Sequence, residues 1–144
     1  MRFMLIRKAD KDTEAGALPS EELLTAMLKY NEELVRAGVM LQGEGLQASS
    51  KGARVKFSGG KPTVIDGPFT EAKELIAGFT MIQVRSKEEA IEWVKRWPAF
   101  DAEAEAEIEI RQVFEAEDFG PAMSPEVRKQ EERLRAQTGA KREL

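Results

Sequence analysis

The run Ala53-Arg54-Val55-Lys56-Phe57, then Ser58-Gly59-Gly60-Lys61, then Pro62-Thr63-Val64-Ile65 decides the fold. Two short runs of β-prone residues flank a Gly-Gly turn, and this pattern predicts a β-hairpin. Asp66-Gly67-Pro68-Phe69 follows as a strong turn signal. Set aside as an insertion, the hairpin leaves a strand-helix-strand unit on each side. Upstream, residues 2–8 form a first strand with Phe3 and Leu5 on one parity and Met4 and Ile6 on the other. Such a strand is buried on both faces. Residues 9–19 are polar and are expected to be a loop. Ser20 is the expected N-cap of a helix over 20–37, with Glu21 and Glu22 at its positive end and Gly38 closing it. Leu23, Met27, Tyr30 and Leu34 form its inward stripe, with Leu24, Leu28 and Val35 beside it. Val39-Met40-Leu41-Gln42 begins a second strand that runs into Gly43-Glu44-Gly45-Leu46.

Downstream of the hairpin, Thr70 to Ile76 are expected to form a short helix and residues 78–85 a strand. Ser86 and Glu89 form a capping box for a helix over about 87–97, stopped by Pro98. Residues 101–106 are acidic and of low complexity, which suggests an exposed connection. Glu107 to Phe114 reads as the last strand, Ile108 and Ile110 alternating with Glu107, Glu109 and Arg111.

The order is that of a ferredoxin-like α+β fold, βαββαβ with an inserted β-hairpin. Two helices cover one face of an antiparallel sheet. Several strands are apolar on both parities, so the second face needs cover that one domain cannot supply. A partner sheet can, and the expected assembly is a sheet-to-sheet homodimer. The expected domains are 1–115 and a charged helical tail, 116–144. Ser124-Pro125-Glu126 is a helix start there, but Val127 and Leu134 are its only sizeable apolar residues before Gly139.

The chain of 144 residues is 42% hydrophobic and 33% charged, enough for one compact core. It has no cysteine and no histidine. Thiolate nucleophiles, His-dependent triads and His-Cys zinc sites are therefore excluded. A net charge of −4 with scattered basic residues gives no footprint for nucleic acid. The apolar runs are far too short for a membrane span. The opening Met1-Arg2-Phe3-Met4-Leu5-Ile6-Arg7 is charged too soon for a signal peptide, so a cytoplasmic protein is expected.

Five ordered segments carry a family likeness: Gly43-Glu44-Gly45-Leu46-Gln47; Asp66-Gly67-Pro68-Phe69-Thr70-Glu71-Ala72-Lys73-Glu74; Ala77-Gly78-Phe79; Glu89-Ala90-Ile91-Glu92-Trp93; and Glu107-Ile108-Glu109-Ile110-Arg111. Over about residues 1–115 the chain resembles the YciI-like family, in the branch named for its Asp-Gly-Pro-Phe motif. The resemblance implies a domain of the dimeric α/β-barrel superfamily. YciI-like proteins often carry a His-Asp pair proposed to be catalytic. The motif aspartate corresponds to Asp66, and relatives carry His where this chain has Gln47. Glutamine can donate and accept hydrogen bonds but cannot exchange a proton near neutral pH.

Asp66 is thus the candidate catalytic residue, a general base or acid acting on a small organic molecule in a cleft between sheet and hairpin. Its purely structural role would be to bond the amides of its own turn. Glu44 and Gln47 are candidates for orienting the substrate, with Glu71 sharing the polar cluster and Lys73 or Arg111 balancing charge. Arg111 can equally pair with Glu107 or Glu109 at the surface. Glu44, Asp66 and Glu71 match no ligand-loop spacing for Mg²⁺ or Ca²⁺, so neither metal nor cofactor is expected. Trp93 and Trp97 fit helix-to-sheet packing, and Tyr30 fits the edge of the core. The alternative function is a non-catalytic dimeric module for ligand binding or protein interaction, and the missing histidine favours it.

Overall fold

A computed structural model describes residues 1–142. Its first compact unit is Met1–Gln112, and a second begins at Val113. In the first unit, β1 (Arg2–Lys8) leads through a single capped turn, α1 (Lys11–Glu14), to α2 (Glu21–Arg36) and β2 (Met40–Gly45). The hairpin is β3 (Ala53–Ser58) and β4 (Lys61–Asp66). Then come β5 (Ile76–Gln83), α3 (Lys87–Val94) and β6 (Ile108–Gln112).

The main sheet has the order β2-β5-β1-β6, with every neighbouring pair antiparallel. Counting only these four strands, the central two are the first and third, which is the ferredoxin-like arrangement inferred from the sequence. The hairpin forms a separate two-stranded sheet.

Register decides which side chains meet. Phe3 lies opposite Ile82, and Leu5 lies opposite both Thr80 and Ile110. These residues point to the helix-covered face, where Phe3, Leu5, Tyr30, Leu34, Val39, Ile82, Val84 and Ala90 form the core. Burying each large side chain there stabilises the fold by roughly 1.5–3 kcal/mol. On the opposite face, Met4 pairs with Met81 and Ile6 with Phe79. All four are only half-buried.

Ser20 caps α2 by accepting the Leu23 N–H at 3.1 Å, and Gly38 takes φ +73° just beyond its end. Tyr30 and Leu34 of the expected inward stripe are buried, whereas Leu24, Leu28 and Val35 are exposed. Three sequence expectations are corrected. Residues 9–19 are not all loop, because Asp10 caps a helical turn by accepting the Thr13 N–H at 2.8 Å. The helix expected over 70–76 is only a 3-10 turn, Ala72–Glu74. Ile76 is drawn into β5 by pairing with Lys8, while Ala9 N–H donates to the Leu75 carbonyl at 2.9 Å. Finally, the acidic connection is not wholly exposed, since Asp101 is 5% accessible.

The second unit contains a 3-10 segment, Ala116–Ala122, and α4 (Pro125–Arg142). Phe114 and Phe119 stack with centroids 4.7 Å apart, and Arg128 pairs with Glu117 at 2.6 Å. Val127 and Leu134 of α4 are exposed. Among the described residues no helix is long and apolar enough to cross a membrane.

Candidate functional site

The Asp66-Gly67-Pro68-Phe69 turn is held from three directions. Gly67 N–H donates to the Gly52 carbonyl at 3.0 Å, closing the root of the hairpin. A Cβ on Gly67 would lie 1.8 Å from the Ser49 carbonyl oxygen, so the close approach of the two segments requires glycine. The Gly67-Pro68 peptide is cis. Phe69 N–H donates to Ser49 Oγ at 3.0 Å. Ser49 in turn donates to the Glu14 carboxylate from Oγ at 2.5 Å and from its backbone N–H at 3.1 Å. The Arg54 guanidinium stacks over the Phe69 ring at 3.9 Å, a contact worth about 0.5–1 kcal/mol.

The turn's amide is therefore satisfied by Ser49, not by Asp66. Among the described residues, no side-chain hydrogen bond or ion pair engages the Asp66 carboxylate, and Asp66 is exposed. Sequence reasoning missed Ser49 and Glu14. Ser49 opens a 3-10 turn, Ser49–Lys51, whose sequence carries no motif, and Glu14 lies 35 residues before it.

The other candidates are dispersed, with Glu44 and Arg111 on β2 and β6, the two opposite edges of the main sheet. Glu44 lies on β2 opposite Phe79 and is exposed. Gln47 is exposed in the loop after β2. Glu71 precedes the 3-10 turn that contains Lys73, and both are exposed. Arg111 on β6 lies 3.9 Å from the Glu109 carboxylate. Among the described residues no hydrogen bond or ion pair joins Asp66, Glu44, Gln47, Glu71 or Lys73 to one another.

A stronger electrostatic cluster sits elsewhere. Asp101 accepts from Arg7 Nε at 3.1 Å, Arg7 Nη2 at 2.9 Å and Trp97 Nε1 at 2.9 Å. Arg7 also pairs with Asp10 at 3.1 Å. Burial pulls the Asp101 carboxyl upward, but hydrogen bonds from Arg7 and Trp97 and the Arg7 charge outweigh it. Its pKa lies below the ordinary aspartate value. The hydrogen bond to Asp101 raises the Arg7 pKa correspondingly. This bidentate pair anchors the acidic connection, where Ala102, Glu103 and Ala104 all take positive φ.

Recesses in the first unit lie away from the Asp66 turn. A shallow one of about 420 Å³ opens beside α2 and includes Glu21, Thr25, Lys29 and Phe100 in its lining. A smaller one of about 170 Å³ lies between Val94, Trp97 and Ile108. Neither is lined by Asp66 or Glu44.

The family model of the YCII-related domain matches residues 1–117. The chain belongs to this family. The chain is also similar to an uncharacterized protein of Rhizobium meliloti (strain 1021), 29% identical over 75 residues, 52% of this chain and 60% of that protein. The match thus spans under two thirds of that relative's length. Among solved structures, the chain is similar to a 5-chloro-2-hydroxyhydroquinone dehydrochlorinase from Burkholderia phenoliruptrix AC1100 in complex with 2,5-dihydroxybenzoquinone. Identity is 17%, coverage is 79% of this chain and 94% of that one, and the TM-score is 0.45. The YCII domain thus holds the whole of the ferredoxin-like unit, the hairpin and the Asp66 turn included.

Proposed function

We propose that this YCII-domain protein is a cytoplasmic homodimer that binds a small organic molecule at the Asp66-Gly67-Pro68-Phe69 turn, with Asp66 as the proton-transfer group. The observation that carries this reading is the division of labour within the turn. Ser49, Glu14, Gly67 and Arg54 hold the backbone and the Phe69 ring, leaving the Asp66 carboxylate without an intramolecular task. An aspartate kept for turn-capping would bond its own amides. A carboxylate on a fixed root, with no partner of its own, suits a ligand. With no histidine in the chain, proton transfer falls to this carboxylate, and Glu44 and Gln47 on the neighbouring edge strand and loop are the orienting groups. Glu71 and Lys73 complete the charge balance around the ligand; Arg111 stands on β6, at the sheet edge opposite Glu44, beside Glu109.

The homodimer reading is supported by the half-buried apolar face of Met4, Ile6, Phe79 and Met81. The second reading is a non-catalytic module for ligand binding or protein interaction. It is favoured by the open exposure of Asp66, which lines neither the recess beside α2 nor the one between Val94, Trp97 and Ile108.

The test is a thermal-shift screen of small metabolites and divalent metals against wild type and Asp66→Asn. A compound that stabilises the wild type should lose most of its shift in the variant. Equal stabilisation of both proteins overturns the assignment of Asp66.

A further inference from the structure

An unbroken run of polar contacts joins the Arg7–Asp101 pair to the Asp66-Gly67-Pro68-Phe69 turn, with the short helix α1 at its middle. Asp10 is the hub. One of its carboxylate oxygens accepts the Thr13 N–H at 2.8 Å and caps α1, and the other accepts from Arg7 Nη1 at 3.1 Å. Thr13 answers with its Oγ1, which accepts the Asp10 N–H at 2.9 Å. Arg7 reaches the other way to both oxygens of Asp101, one of which also accepts from Trp97 Nε1. At the far end of α1, Glu14 takes hold of Ser49 through both carboxylate oxygens, and Ser49 Oγ accepts the Phe69 N–H.

The helix in the middle depends on these bonds. It has four residues and buries none of them. A helix that short does not sustain itself in water, and apolar packing does not hold this one. The chain just before it is pinned at Ala9, whose N–H donates to the Leu75 carbonyl at 2.9 Å. Beyond that point its placement rests on Asp10 with Arg7 at one end and Glu14 with Ser49 at the other.

We propose that Asp101, Arg7 and Asp10 are positioning residues for the Asp66 turn, acting through α1, Glu14 and Ser49. The inference rests on the reading of that turn as the ligand site. The turn has two backbone anchors, Gly67 on the Gly52 carbonyl and Phe69 on Ser49 Oγ. The network governs the second. Asp101 fixes the plane of the Arg7 guanidinium through two bonds. Arg7 in turn aims the Asp10 carboxylate, the cap orients α1, and α1 presents Glu14 to Ser49. The side chains of Arg7 and Asp101 are almost wholly sheltered from water, which keeps their charge-assisted bonds strong. A change at the Asp101 end is therefore felt at Phe69 through a contiguous set of contacts.

Exchange of the Phe69 N–H with solvent, read by NMR in the full chain without ligand, tests this. Asp10→Asn keeps an oxygen for the cap and removes the charge that holds Arg7. It should quicken Phe69 exchange about fivefold relative to the Leu5 N–H of the core sheet. Asp101→Asn should do the same from the distant end. Asp12→Asn, on an exposed side chain of the same helix, should leave the ratio unchanged. In a Ser49→Ala background the last link is absent, so Asp10→Asn should add nothing. The proposal is overturned by a ratio that either Asp10→Asn or Asp101→Asn leaves unmoved. It is equally overturned if Asp12→Asn moves the ratio as much, or if Asp10→Asn acts as strongly without the Ser49 hydroxyl as with it. No ligand enters these measurements, so such a failure leaves the Asp66 assignment to its own screen. A ligand shift indifferent to Asp66→Asn overturns that assignment and leaves the coupling to Phe69 in place.

Discussion

Tyr30 is the only tyrosine of the chain, and its environment can be titrated without interference from another phenol. It is buried against the Trp97 ring at 5.5 Å, and its hydroxyl donates to the Trp93 carbonyl at 2.7 Å. Burial pushes its pKa up to about 12. The folded value exceeds the unfolded one of about 10, so the stabilising contribution is complete below pH 10. It is lost as pH rises towards about 12, because the unfolded chain ionises first. Tyrosinate absorbance should therefore titrate near 12 in the folded protein and near 10 after denaturation, about 10 being the value for an unperturbed phenol. A folded midpoint near the unperturbed value would contradict this burial.

Asp101 carries the opposite sign. Its folded pKa is depressed, so its contribution is present above the ordinary aspartate value of 3.8 and is lost as pH falls through the folded value. Asp101→Ala leaves Arg7 buried without its main partner and should cost about 3 kcal/mol in denaturant unfolding at neutral pH. The difference between wild type and variant should shrink in acid, below about pH 4. Tyr30 was legible in the sequence because Leu23, Met27 and Leu34 share its helical stripe. Asp101 was not. It sits in an alternating acidic-alanine run that looks solvated, and the arginine that buries it lies 94 residues away.

At the scale of elements, local signals succeeded where the chemistry is local. Ser20, Gly38 and Ser86 mark helix ends through bonds to residues within a turn, and the Gly59-Gly60 pair sits where both take positive φ. The helix expected over 70–76 failed because its competitor is distant. Residues there have adequate helix propensity, but pairing of Ile76 with Lys8 offers a long ladder to β1, and propensity is a weak prior against that. The Asp66-Gly67-Pro68-Phe69 element was legible as a turn, yet its anchoring was not. Ser49 and Glu14 reach it across the chain, and only coordinates reveal that Ser49 takes the amide bond assigned by sequence logic to Asp66. The requirement at Gly67 is correspondingly steric. Gly67→Ala puts a methyl 1.8 Å from the Ser49 carbonyl oxygen and must displace that backbone. Such overpacking costs about 1–3 kcal/mol. Urea unfolding should detect this loss, together with faster amide exchange at Gly67 and Phe69, the two residues whose N–H groups bond to Gly52 and Ser49.

At the scale of the whole molecule, the ferredoxin-like order followed from the sequence once the hairpin was treated as an insertion. Double-parity apolarity in β1 and β5 marks the sheet face left without helices. That face has a specific composition. Met4, Ile6, Phe79 and Met81 occupy its two central strands, while Glu44 on β2 and Glu109 and Arg111 on β6 stand at its borders. An apolar centre with a charged rim is the anatomy of an interface. A charge placed at the centre must be desolvated on association, whereas in the single chain it can still reach water, because Ile6 is only half-buried. For the proposed homodimer, Ile6→Lys should therefore shift sedimentation from dimer to monomer at micromolar concentration while leaving the far-ultraviolet dichroism of the subunit unchanged. The equivalent change at the rim, Glu109→Lys, should alter the salt dependence of association and leave a dimer at high concentration. If both variants sediment like the wild type, the sheet faces do not meet, and the cover for Met4, Ile6, Phe79 and Met81 has to come from another surface.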